Sequence, residues 1–168
     1  MDFTLTKYEE LCKAMIDSDC TPVSVCTYLG AQPERCVIIR HDVDRKPEQA
    51  QKMAELENRL AITSTYYFRM KEDVFIPGMI KEIANMGHEI GYHYEVMDKA
   101  KGDIEKAIKI FGAELREFRK ICDVKTICMH GNPLSKWVNR DLWTEYNFVD
   151  FGIPGEPYLS IDYTKVLY

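Results

Sequence analysis

The chain has 168 residues and a net charge of −5, and its 46% hydrophobic and 29% charged content is that of one ordinary globular domain. Its 22 basic residues are interspersed among 27 acidic ones, which excludes the clustered basic face that nucleic-acid binding requires. No apolar run is long enough to span a bilayer, and no secretory signal pattern opens the chain. We therefore expect neither nucleic-acid nor membrane partners, while the oligomeric state stays open.

Strand-like and helix-like segments alternate along the chain, a pattern typical of β/α units around a parallel sheet. In chain order the sequence predicts a helix over 6–18, a strand over 37–39, a helix from Pro47 to Leu60, a strand over 63–70, a helix from Pro77 to the stop at Gly87, a strand over 88–95, a helix capped by Asp103 that runs to Phe118, a strand over 125–129, a helix near 139–146, and one or two strands over 158–168. We expect one domain over 1–168, with a helical lead-in over 1–36 and a barrel core over 37–168.

The six cysteines form no CxxC pair and no zinc-ribbon spacing, so they predict a reducing, cytoplasmic environment. The sequence also lacks a dinucleotide-binding GxGxxG segment, a phosphate-binding loop and a GxSxG nucleophile turn. Covalent catalysis by Ser or Cys is therefore disfavoured.

The first candidate for chemistry is Arg40-His41-Asp42-Val43-Asp44, directly after an apolar strand. Strand side chains alternate, so Arg40, Asp42 and Asp44 would share one face, while His41 and Val43 point the other way. Two neighbouring carboxylates remain ionised only beside a cation or a hydrogen-bond donor. A metal or Arg40 could supply that charge; the structural alternative is an ion pair between Arg40 and an aspartate.

The second candidate is Gly87-His88-Glu89-Ile90-Gly91-Tyr92-His93-Tyr94-Glu95, whose alternation places His93 beside carboxylates near another strand end. Imidazole with carboxylate is ordinary zinc ligation, and Glu95 could be a ligand or a partner that fixes the tautomer of His93. His88 points away, and a structural role is the better interpretation of it.

The third candidate is His130, which ends the fourth predicted strand before a Gly-Asn-Pro turn. A single histidine there could be a metal ligand, a general acid or a hydrogen-bonded loop residue. Its coincidence with two other polar strand ends favours a site. A rigid loop over 152–158 adds Glu156 as a possible lining residue.

These segments resemble the polysaccharide deacetylase family, the metal-dependent esterases that remove acetyl groups from sugars. The resemblance runs from Val37 to Asp162 and rests on the segments at 41–44, 87–95 and 129–131. It implies an α/β fold of the distorted β/α barrel type, which the apolar end of this chain would leave incomplete at its C-terminus. It also implies a divalent metal, zinc first, and a carbohydrate or other small-molecule substrate.

The resemblance further implies roles for individual residues. Asp42 matches the general base and Asp44 a metal ligand, although Val43 separates aspartates that are usually adjacent, so the two roles could be exchanged. His93 matches the first metal histidine. Four positions later stands Met97 in place of the second, which leaves His130 or Glu95 to complete the ligand set.

No Arg-Pro-Pro segment and no late Leu-x-His segment follow, so Arg40 would orient the base and His130 would be the acid. The predicted activity is hydrolysis of an amide-linked acetyl group by metal-activated water. The alternatives are a catalytically impaired relative that binds a carbohydrate or nucleotide-sugar, and a hydrolase of another intracellular amide or ester.

Overall fold

The computed structural model describes residues 4–165, within which seven α helices and six β strands alternate. The strands are β1 (Thr21–Val23), β2 (Cys36–Ile38), β3 (Arg40–Val43), β4 (Thr65–Arg69), β5 (Glu89–Tyr94) and β6 (Ile127–Met129). The helices are α1 (Leu5–Asp17), α2 (Val25–Ala31), α3 (Pro47–Arg59), α4 (Pro77–Asn85), α5 (Val96–Ala100), α6 (Ile104–Arg119) and α7 (Pro157–Ser160). Short 3₁₀ helices cover Asn139–Thr144, Phe148–Phe151 and Tyr163–Lys165.

The sheet is parallel throughout and follows chain order. Strands β3, β4, β5 and β6 are successive neighbours, and β1 pairs with β2. Only Ile39 separates β2 from β3: its N–H donates to Val23 O at 3.0 Å, and its carbonyl accepts from Thr65 N at 3.0 Å. The backbone hydrogen bonds therefore pass from one group of strands to the other, and the strands form a curled parallel half-barrel.

The convex face of the half-barrel is apolar and is covered by helices. Its strand residues Val43, Tyr66, Phe68, Ile90 and Tyr92 are buried in one core with residues of α3, α4 and α6. Burial of this apolar surface is the main source of folding free energy for such an arrangement.

The concave face is more polar, and it is tightly packed at its centre. A Cβ on Gly91 would lie 2.2 Å from Cε1 of Tyr67, so only glycine lets the Tyr67 ring cross β5 there. The Tyr67 hydroxyl shares a 2.8 Å hydrogen bond with Thr126. At the amino end of β5, Glu89 accepts a hydrogen bond of 2.8 Å from the backbone N–H of Cys26, at the start of α2.

The predicted strands over 37–39, 63–70, 88–95 and 125–129 are confirmed, as are the helices that begin at Pro47 and Pro77 and the helix capped by Asp103. The segment over 139–146 is helical but of the 3₁₀ type. The prediction of strands over 158–168 is wrong for the part that the structure describes. Glu156 caps a helical turn that Pro157 begins, and residues 166–168 lie outside the described range.

The predictions also missed β1, α2, α5 and the 3₁₀ helix Phe148–Phe151, and they did not separate β3 from the strand over 37–39. The first two lie in the segment before residue 37, where the sequence indicated only a helical lead-in. Among residues 4–165, every helix is too short or too polar to cross a lipid bilayer.

Candidate metal centre

Three side chains from different strand ends meet at the carboxyl edge of the half-barrel. Asp44 directly follows β3, His93 lies near the end of β5, and His130 directly follows β6. Asp44 Oδ1 is 3.5 Å from His93 Nε2 and 3.0 Å from His130 Nδ1, and the two imidazole nitrogens are 3.2 Å apart. One ligand atom from each residue therefore faces a common point, and the three residues could hold a metal ion.

The register of the sheet explains why the two histidines meet. His93 pairs with Cys128 on β6, and His130 follows Cys128 by two residues, so both side chains point to the concave face. The backbone at His130 is fixed on both sides. Its N–H donates to Tyr94 O at 2.8 Å, and its carbonyl accepts from Asn139 Nδ2 at 2.8 Å.

Hydrogen bonding presents the His93 lone pair to this point. Its Nδ1 lies 3.0 Å from the carbonyl oxygen of Cys128, which can only accept, so Nδ1 carries the hydrogen. In the neutral imidazole, Nε2 then has a free lone pair directed at Asp44 and His130. A backbone carbonyl that holds a histidine tautomer in this way is typical of metal-binding histidines.

The Asp44 oxygen at the centre of the group has no hydrogen-bond partner. Oδ1 is buried and accepts no hydrogen bond of good geometry, although the side chain as a whole is 45% exposed and the Arg69 guanidinium lies 3.7 Å from this oxygen. A buried carboxylate oxygen that accepts no hydrogen bond is unfavourable unless a cation lies beside it. The arrangement therefore fits a cation at this point.

The electrostatics of the group favour the protonation states that metal binding needs. The interaction with His93 lowers the pKa of Asp44 against the effect of burial, with further contributions from His130 and Arg69. Burial, followed by the positive charge of Arg69, lowers the pKa of His130. At neutral pH we therefore expect an ionised carboxylate beside a neutral imidazole, the forms that coordinate zinc.

A second possible ligand group, Asp42 with His93 and Cys128, adjoins the first. Arg40 already supplies a cation there: its Nη1 lies 2.7 Å from Cys128 Sγ and 3.3 Å from Asp42 Oδ1. Burial also raises the pKa of the Cys128 thiol, so a metal bound there would have to displace its proton at greater cost. The group of Asp44, His93 and His130 is therefore the better metal centre.

Asp42 is nevertheless well placed beside that centre. It is exposed at the concave face, and its carboxylate lies within 4.8 Å of a ring nitrogen of His93. Arg40 fixes its position and is itself held by the Tyr158 hydroxyl, which lies 2.5 Å from Nη2 and whose ring is under the guanidinium. The Arg40 charge thus keeps a carboxylate close to the metal ligands without a second metal.

Glu95 and Glu156, the other predicted site residues, have different surroundings. Glu95 is ion-paired with Arg69, whose Nη1 lies 3.7 Å from Asp44 Oδ1. Arg69 therefore lies between Glu95 and the three candidate ligands. Glu156 is fully buried and accepts from Met129 N and Leu159 N at 3.0 Å each, which ties α7 to β6. Burial raises its pKa, and the backbone donors oppose that effect.

Arg69 is a site residue that sequence reasoning missed. It pairs with His93 in the β4–β5 register and lies between Asp44 and Glu95. The available signal was the alternation of β4, in which Thr65, Tyr67 and Arg69 share the concave face. The sequence alone offered no reason to select an arginine at the end of an aromatic strand.

Met97, the residue in place of a second metal histidine, is buried in the core at 3% exposure. Its N–H donates to Asn139 Oδ1 at 3.0 Å, so it belongs to the hydrogen-bonded framework behind the centre. Comparisons of the chain with protein-family models, with curated protein sequences and with solved structures gave no match.

Proposed function

We propose that this protein is a metal-dependent hydrolase that removes an acetyl group from an N-acetylated sugar or a related small molecule. Asp44, His93 and His130 would bind one divalent ion, with zinc the first candidate. The observation that carries the proposal is the geometry at Asp44 Oδ1, which is buried, accepts no hydrogen bond and lies within 3.5 Å of two imidazole nitrogens. Two nitrogens and one carboxylate oxygen form a ligand set that zinc hydrolases use, with a position left open.

The proposed chemistry divides the work among these side chains. A divalent ion at this point would polarise the acetyl carbonyl and lower the pKa of a water molecule toward neutrality. Asp42 accepts the proton of that water, because it lies beside the centre while Arg40 holds its carboxylate in place. His130 is assigned to the ligand set because its Nδ1 faces Asp44 at 3.0 Å. The proton that Asp42 takes from the water would then pass to the departing amine nitrogen as its bond to the acetyl carbon breaks.

The substrate class in this proposal follows from the resemblance to the polysaccharide deacetylases. The parallel half-barrel and the position of the site at the carboxyl ends of its strands support it. We propose accordingly that the half-barrel is part of a distorted β/α barrel of that type. The six free cysteines support action in a reducing, cytoplasmic compartment.

Metal titration tests the ligand set directly. We expect the purified protein to bind about one zinc ion. Asp44→Asn and His130→Ala should each lower the zinc affinity by at least about tenfold, because loss of a ligand costs no less than loss of a residue that orients one. Asp123→Asn makes the same chemical change at an exposed ion pair with Lys125 and should bind zinc like the wild type. Equal affinities in Asp44→Asn and Asp123→Asn would contradict the assignment.

Acetate release from a panel of N-acetylated sugars and nucleotide-sugars then tests the reaction. We expect Asp42→Asn to retain zinc and to lose hydrolysis by about two orders of magnitude or more, the usual contribution of a general base. Stoichiometric zinc without acetate release from any member of the panel would instead support the catalytically impaired, ligand-binding alternative.

A further inference from the structure

A buried carboxylate lies on the convex face of the sheet, opposite the metal centre. Glu57 of α3 is fully buried, and each of its oxygens accepts two hydrogen bonds. Oε1 accepts from His41 Nε2 at 2.7 Å and from the Tyr8 hydroxyl, and Oε2 accepts from Ser64 Oγ at 2.6 Å and from the Tyr66 hydroxyl at 2.7 Å. The carboxylate is thus fully satisfied without access to solvent.

His88 joins the same group of residues. Its Nε2 donates to Ala54 O at 3.0 Å, and its Nδ1 accepts from the Ser64 backbone N–H at 3.3 Å and lies 3.7 Å from Glu57 Oε2. His88 is thus joined to the carboxylate through Ser64. We name these six residues the Glu57 cluster: Tyr8, His41, Glu57, Ser64, Tyr66 and His88. It therefore contains the two motif histidines that face away from the metal centre, which the proposed reaction does not use.

The cluster connects the strands that carry the metal ligands. His41 is on β3, three residues before Asp44, and His88 immediately precedes β5, five residues before His93. Tyr66 lies on β4, between these two strands in the sheet. One carboxylate thus contacts, from the convex side, β3, β4 and the residue that leads into β5.

Because neighbouring strand residues point to opposite faces, a constraint on His41 at the convex face also constrains Asp42 at the concave face. His41 and Asp42 are successive residues with opposite directions, so a rotation of β3 about its axis that displaces one also displaces the other. Strand β3 is only four residues long, and Asp44 lies just beyond its last residue. A hydrogen bond to His41 therefore limits the freedom of Asp42 and Asp44.

We infer that Glu57 is a positioning residue for the metal centre, which acts through His41 on β3 and Tyr66 on β4 to hold the ligands of the neighbouring strands at their mutual distances. Glu57 touches neither substrate nor metal. This role goes beyond the proposed hydrolysis and rests on it only through the location of the metal ligands. The ordinary alternative is a purely structural cluster that stabilises the fold without affecting the geometry of the site.

Glu57→Gln, which keeps the side-chain shape but turns one acceptor oxygen into a donor, separates the two roles. The chain has four histidines, His41, His88, His93 and His130, so its imidazole ¹⁵N NMR spectrum can be fully assigned. We expect Glu57→Gln to shift the ring signals of His93 and His130 in the metal-free protein, although neither residue contacts Glu57. Zinc affinity should fall by about tenfold, as for other residues that orient ligands.

Leu115→Ala is the matched control, because it removes buried side-chain volume from α6, a helix that supplies no residue to the cluster, and destabilises the fold. Both variants are compared at a temperature where each is folded, and the control should keep the His93 and His130 signals and the zinc affinity of the wild type. If Glu57→Gln fails to fold, Tyr66→Phe takes its place, because it removes one hydrogen-bond donor to Glu57. We then expect smaller shifts of the His93 and His130 signals and a smaller loss of zinc affinity.

The outcomes distinguish this inference from the proposed function. Unchanged His93 and His130 signals in a folded cluster variant, with zinc affinity within about twofold of wild type, would overturn the positioning role. A wild-type protein that binds no zinc would overturn the proposed hydrolase, while the metal-free NMR comparison would still decide the role of Glu57. Shifts at both rings in Leu115→Ala as large as in Glu57→Gln would also overturn it, because any loss of stability would then produce them.

Discussion

Acid should destabilise this protein in large part through Glu57, and Glu57→Gln should remove that sensitivity. Burial alone would raise the pKa of this carboxyl, but hydrogen bonds and charge from His41, with hydrogen bonds from Ser64 and Tyr8, lower it from its ordinary 4.5 to about 2. The ionised form is thus more favourable in the folded chain than in the unfolded one. Its contribution to stability is complete above pH 4.5 and is lost as the pH falls toward 2.

The size of the effect follows from the two pKa values. Each tenfold change in proton affinity corresponds to about 1.4 kcal/mol, so a pKa lowered from 4.5 to about 2 corresponds to roughly 3 kcal/mol of unfolding free energy at neutral pH. A protein of this size has a total stability of about 5–15 kcal/mol. Protonation of one side chain would therefore remove a substantial part of it.

Urea unfolding from neutral pH down to about pH 3 measures this loss. We expect the wild type to lose clearly more unfolding free energy over the acid range than Glu57→Gln, whose amide does not titrate. Glu117→Gln, an exposed carboxyl on α6 that pairs with Lys120, should keep the acid response of the wild type. Parallel pH profiles for wild type and Glu57→Gln would refute the reasoning, because the carboxyl would then titrate alike in both states.

Three further substitutions test the packing. Gly91→Ala should reduce the unfolding free energy by about 1–3 kcal/mol in urea, because the new Cβ meets a Tyr67 ring that its hydrogen bond to Thr126 holds in place. Asp103→Ala should cost about 1 kcal/mol by the same assay, because its side chain caps α6. Leu134→Ser should change the melting temperature little, since this side chain is 96% exposed; a large loss would contradict that exposure.

The sequence was a good guide where structure follows from local pattern. Alternation along β3 and β5 placed Asp44 and His93 on one face and His41 on the other, and the structure has them so. The helix starts at Pro47 and Pro77 were readable because proline at the first helical position has the required φ and needs no N–H partner. These features depend on a few neighbouring residues.

The parts that were missed depend on contacts between distant segments. Glu57 occurs in a helix rich in charged residues, where a carboxylate is usually exposed, and only the fold brings His41 and Ser64 to it. The wrong strand after residue 157 has a related cause, since Tyr158 and Leu159 have the side chains of a strand. The cap formed by the Glu156 carboxylate imposes a helical turn on them instead.

The methionine at position 97, where the resemblance to the deacetylases would place a second metal histidine, is compatible with the proposed centre in the folded chain. A histidine at position 97 would belong to α5, after β5 has ended, whereas His130 comes from the strand beside His93 and lies two residues beyond its register partner. Asn139 connects the two positions, because its carbonyl oxygen accepts from Met97 N–H and its amide nitrogen donates to His130 O. The Asn139 side chain therefore fixes the backbone of both Met97 and His130. The third ligand of the proposed centre therefore comes from the strand beside His93, and a methionine at position 97 does not argue against metal binding.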